Sequence, residues 1–153
     1  KASELGGLHR TMPWTTTFCI IGAMSISAFP LLSGFAAKSL IASSAGYAGL
    51  AGVTFVLYFA SAGVMEHSGI KIPFFAFFAH DSGKRPKEAP WNMLLAMGIA
   101  SAFCIGIGIF PQEFYKLLPY QDGFHYNAYD VTHVVSQLQL LLFAALALRI
   151  AGT

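Results

Sequence analysis

Lys38 is the residue in this chain that most needs a chemical explanation. It stands between two uncharged stretches of 27 residues each, 11–37 and 39–65. A lysine at the centre of a membrane helix costs roughly 2.5–3.5 kcal/mol to insert. That cost is usually met where an ionisable group lines an ion or proton path. Loss of water disfavours the charged form of an amine, so a lysine placed there is able to take and release a proton near neutral pH. A second reading is open on the residues alone. The butyl stem of Lys38 could run along apolar surface and carry its ammonium out to the headgroups.

The residues just before Lys38 favour an interrupted helix. Pro30 removes a backbone donor and crowds the preceding turn. Gly34 adds backbone freedom four residues later. The sequence therefore predicts a break over 30–34, with half-helices near 13–29 and 35–45. Irregular backbone at membrane depth must be buried in protein or line a wet cavity. Ser25, Ser27, Ser33 and Ser39 stand close enough in sequence to hold water there. A simple proline kink is the alternative.

Other polar groups are candidates of lesser weight. His133 and Gln137 are four residues apart and share a helix face. They could extend a polar path from Lys38 or bond to another helix. Glu66 and His67 follow an apolar run and fit an interfacial anchor. The five histidines form no HxxxH or HExxH spacing, so no metal site is expected. Cys19 and Cys104 lie in apolar stretches and form no ligand pattern. No phosphate-binding or dinucleotide-binding glycine pattern is present, and no cofactor is expected.

The elements that must position these groups follow from composition. The chain is 56% hydrophobic and 10% charged. Soluble domains carry about 25% charged residues, so this chain has too few to cover a water-facing surface. No basic run is interleaved with aromatics, which argues against nucleic acid as a partner. The predicted fold is an all-α membrane bundle, a single domain over 1–153. Four crossings are expected, near 13–45 (broken at 30–34), 47–66, 91–110 and 130–150, each long enough for about 20 apolar residues. FFAFF at 74–78 is too short to cross and is expected in the interface.

Lysine and arginine placement orients the bundle. Lys1, Arg10, Lys71, Lys84, Arg85, Lys87 and Arg149 fall on one side, and Lys116 alone on the other. Positive charge collects on cytoplasmic loops, so both ends of the chain are expected to be cytoplasmic. The broken helix must then count as one crossing. The chain starts without a methionine, inside what reads as a loop, and the expectation is the C-terminal part of a longer subunit.

GGLHRTMP, an apolar half-helix and SAFPLLSGFAAKSLI together resemble the proton-conducting antiporter-like family. That family includes the antiporter-like subunits of Mrp-type sodium/proton antiporters and the three large antiporter-like subunits of complex I. The matching positions are Gly6-Gly7-Leu8, Pro13, Pro30-Leu31, Gly34-Phe35 and Lys38. The stretch GIKIPFFAFFAHDSGKRPKEAPWNMLLAMGIASAFCIGIGIFP looks most similar to the bacterial Mrp-type antiporter branch. The resemblance implies that Lys38 is a relay residue at the family's second discontinuous helix. It implies translocation of protons, with Na+ as a further candidate, in a bacterial plasma membrane among other subunits of a complex. A redox-driven pump and a structural scaffold are the competing expectations. Any redox chemistry would belong to other subunits, because this chain has no ligand set for it.

Overall fold

The computed structural model describes residues 5–119 and 125–151, and all regular structure among them is helical. Lys1, part of the charge asymmetry, lies outside the described residues. A 3-10 turn at Leu8–Arg10 leads into α1, Pro13–Ile26. Pro13 suits a first turn because its missing N–H would have no helical partner there. α2 is Ser33–Tyr47 and α3 is Ala51–Val64. α4, Trp91–Ile109, is followed by the short α5, Pro111–Tyr115, and by α6, Val131–Ala151.

α3 does not stop at Val64. It runs on through a π-helical segment, Met65–Lys71, and a second one, Phe74–Phe78, without leaving helical conformation. Pro73 supplies the cause. It cannot donate to the Gly69 carbonyl, and its ring crowds that carbonyl in an α-helical turn. A wider turn relieves both problems. FFAFF is therefore the end of a long helix and not a separate interfacial segment. Lys71 lies inside that helix too, not in a loop.

Polarity is arranged inside out. Phe55, Phe103 and Phe143 face outward at 72%, 60% and 68% exposure. Ser25, Ser27, Ser39, Ser101 and Gln137 are buried. Soluble proteins do the reverse. The buried centre is a cluster of Ala28, Phe35 and Ala128, flanked by Tyr126, Tyr129 and Val134. Phe35 stacks on Tyr129 with ring centroids 5.3 Å apart.

The expected count of four crossings is not carried by helix length. Among the described residues, α4 alone is both long and apolar enough to cross a membrane by itself, with mean hydropathy 1.9. The physical reason is interruption. α1 and α2 have 14 and 15 residues, or about 21 and 22 Å at 1.5 Å per residue, each short of a ~30 Å hydrocarbon core. α3 is divided by its π segments.

Candidate functional site

The site is built on the gap between α1 and α2. α1 ends at Ile26 and α2 starts at Ser33, so the break covers 27–32. Pro30 lies in its middle. Ala28 and Leu31 take left-handed backbone conformations, with φ of 57° and 71°. Such a conformation costs a residue with a Cβ roughly 1–2 kcal/mol, so neighbours must hold it. Gly34 sits in the first turn of α2 rather than in the break, and its role is close approach. A Cβ there would collide with the Ser25 carbonyl oxygen. A Cβ at Gly108 of α4 would likewise meet the backbone of Leu31 and Leu32.

A helix end leaves carbonyls without partners. Here side chains from other elements supply them. The Lys38 Nζ donates to the Ile26 carbonyl at 2.7 Å and to the Ser61 Oγ of α3 at 3.1 Å. Gln137 of α6 donates to the Ser27 carbonyl at 3.0 Å. Ile26 ends α1, where the helix dipole is negative, so an ammonium there is favoured. Ser27 donates to Ala23, Ser39 donates to Ala36, and the Ser25 and Ser33 hydroxyls bond each other. These hydroxyls tie the break to itself before they meet any water.

Lys38 opens on a cavity of about 240 Å³. Ser39, Tyr58, Ser61, His133 and Gln137 line it, with apolar side chains of α2 and α3 between them. His133 Nε2 lies 3.2 Å from the Ser43 Oγ, which lies 3.1 Å from the Tyr126 hydroxyl. Polar groups thus continue from Lys38 across the cavity to His133, Ser43 and Tyr126. No carboxylate lines the cavity. Tyr115 closes the neighbouring wall by donating to the Ala36 carbonyl at 2.9 Å. Burial, then the nearby Tyr126 and Tyr129 phenols, push its hydroxyl up to about 12.

Two features gave no usable signal in the sequence. Glu88, in the KRPKE run that looks like a plain solvated loop, caps α1. Its carboxylate accepts from the Trp14 amide at 3.0 Å and the Thr15 hydroxyl at 2.5 Å. Desolvation pulls this carboxyl up, but the bonds from Thr15, Trp14 and Ala89 outweigh it and hold it below the ordinary glutamate value. The second feature is the level of Glu66. It lies on the π segment that packs against α1, not at a helix end.

Comparison with known sequences gives these features a context. NADH-quinone oxidoreductase subunit N 1 of Solidesulfovibrio magneticus is 33% identical over 118 residues, which is 69% of this chain and 23% of that protein. Hydrogenase-4 component B of Escherichia coli is 30% identical over 118 residues, 69% of this chain and 18% of that protein. The chain is a homologue of the antiporter-like membrane subunits. NADH-ubiquinone oxidoreductase chain 5 of Hippopotamus amphibius is 32% identical over 77 residues, 50% of this chain and 13% of that protein. The chain spans less than a quarter of the length of these relatives. No protein-family profile matches it. With these homologues and its outward apolar face, the antiporter-like chain is a membrane protein.

Proposed function

We propose that this chain is part of a proton-translocating membrane subunit in which Lys38 takes and releases the proton. One observation carries the reading. The Lys38 ammonium bridges the open end of α1 and the wall of a cavity that also holds His133. Charged, it caps Ile26. Neutral, it keeps two donors and gains a lone pair, so the same position serves both protonation states. His133, with Ser43 and Tyr126 behind it, is the second relay group on the far side of the cavity. Protons suit the site better than Na+, because the charged side chain in the cavity is a cation and no carboxylate offsets a metal ion there.

The positive-charge asymmetry of the loops supports four crossings, with α1 and α2 as one, in a bacterial plasma membrane and with both ends of this stretch cytoplasmic. An antiporter subunit and a redox-driven pump share this relay. The oxidoreductase and hydrogenase names of the relatives favour the pump, with electron transfer left to other subunits.

Lys38→Arg separates relay from scaffold. Arginine keeps the charge and can cap Ile26, but does not deprotonate in a protein. Proton flux in vesicles carrying the assembled protein should fall at least tenfold while assembly is kept. Unchanged flux would leave Lys38 a structural cap and overturn the relay.

A further inference from the structure

Glu66 and Lys71 form an ion pair at 2.7 Å. They are five residues apart, and that spacing is informative. In an α-helix, residues five apart point about 140° away from each other. The π turn is closed by i→i+5 bonds, which bring the fifth residue back over the first. Met65–Lys71 is such a segment, so the pair and the wide turn depend on each other. π turns inside α-helices are frequent at functional positions.

The pair sits beside the break. A Cβ at Gly69, between the two charges in sequence, would collide with the Ser27 hydroxyl and would touch the Ala23 carbonyl. The π segment therefore packs its backbone on the end of α1 that Lys38 caps. Ser61, which accepts from Lys38, lies on the same helix five residues before Glu66. Both charged side chains are more than a third exposed on this chain, at 38% for Glu66 and 37% for Lys71. Charged groups within a membrane bundle face protein or a water-filled cavity rather than lipid.

We propose that Glu66, paired with Lys71, is a second proton-loading group, and that the π turn joins its charge state to the Lys38 break. In the resting state the carboxylate is held by Lys71. When Glu66 binds a proton, the neutral acid releases the ammonium, Lys71 keeps its own proton, and the i→i+5 pairing that favours the wide turn is lost. The segment against Ser27 is then free to tighten. The proton passes on to the neutral Lys38 amine, which restores the carboxylate and the pair. Other titratable groups on the packed elements are few. They are His67 beside Glu66, Tyr58 on α3, Cys19 on α1, and His133 and Arg149 on α6.

This inference rests on the proton-translocating reading, and the two fail separately. The probe is proton flux in vesicles carrying the whole assembled protein, with assembly and the pH profile of flux followed in parallel. Glu66→Gln should lower flux at least tenfold, and Glu66→Asp should recover most of it with a displaced pH profile. The double variant Glu66→Gln with Lys71→Met leaves no unpaired charge, and replacing an ion pair by neutral groups is often harmless to folding. It should assemble normally and still transport at least tenfold more slowly. Wild-type flux with an unchanged profile in the double variant overturns the proposal, and so does failed assembly in both Gln variants, which would make the pair structural. If Lys38→Arg is silenced while Glu66→Gln transports normally, the second group falls and the relay stands. The opposite pattern removes the relay at Lys38 and keeps Glu66.

Discussion

α4 and the α1–α2 pair are both apolar, yet they satisfy their backbones in different ways. α4 is one unbroken helix of 19 residues whose interior carbonyls find partners within it. The α1–α2 pair stops for six residues, and its open carbonyls are met by Lys38 from α2 and Gln137 from α6. α4 could be exchanged for another apolar helix with modest consequences. The broken pair cannot, because its shape is held by side chains from several elements. Polar chemistry is concentrated where the helix cannot satisfy itself.

Glycine substitutions test that contrast most severely. Gly34→Ala places a methyl group on the Ser25 carbonyl, and overpacking costs about 1–3 kcal/mol, occasionally more. We expect the upper end, because the obstacle is backbone. Gly106→Ala on α4 meets nothing within 4 Å and should be neutral or stabilising by about 0.5–1 kcal/mol, as for glycine in a helix interior. Thermal unfolding of the assembled protein in detergent measures both. Equal effects would erase the distinction between the two regions.

Gln137→Leu is the next test. It removes the donor to the Ser27 carbonyl and leaves a buried acceptor unmet, at about 1–3 kcal/mol. A stability loss should appear in the same unfolding measurement, with flux reduced less than by Lys38→Arg. No change in stability would mean that the break is held without α6.

The smallest expected effect is that of Glu88→Gln. Glu88 has its carboxyl held below the ordinary glutamate value in the folded protein. Its contribution is therefore present above the unfolded glutamate value near 4.3 and is lost as pH falls through the folded value. Wild type should unfold at a slightly higher temperature than Glu88→Gln at pH 7, and the two should converge below about pH 4. A gap that persists in acid would show that the charge plays no part in the cap.

The comparison also shows what the sequence could and could not reveal. The inside-out arrangement follows from composition, and Pro30 marks the neighbourhood of the break. Its edges do not, because Ala28 and Leu31 adopt conformations that their side chains do not advertise. Gly34 was legible as a special position but for the wrong reason. Its sequence context suggests freedom, whereas the fold needs its lack of a side chain. Glu66, His67 and Lys71 look like the end of a crossing, and charge alone cannot distinguish that from a helix that continues. The spacing of Gly69 and Pro73 was the available signal for the wide turn. Glu88 gave none, because a carboxylate in a basic loop looks the same whether or not a helix start lies over it.

The Glu88 cap has a consequence for how the protein is made. Glu88 lies 74 residues after the Trp14 amide that it binds. At about 5–20 residues per second, the ribosome delivers it roughly 4–15 s after Trp14. During that interval α1 enters the membrane with its first turn open, and α2 and α3 are synthesised before the carboxylate arrives. The first half of the broken helix is among the earliest parts of this stretch to be made, and its own sequence does not complete it.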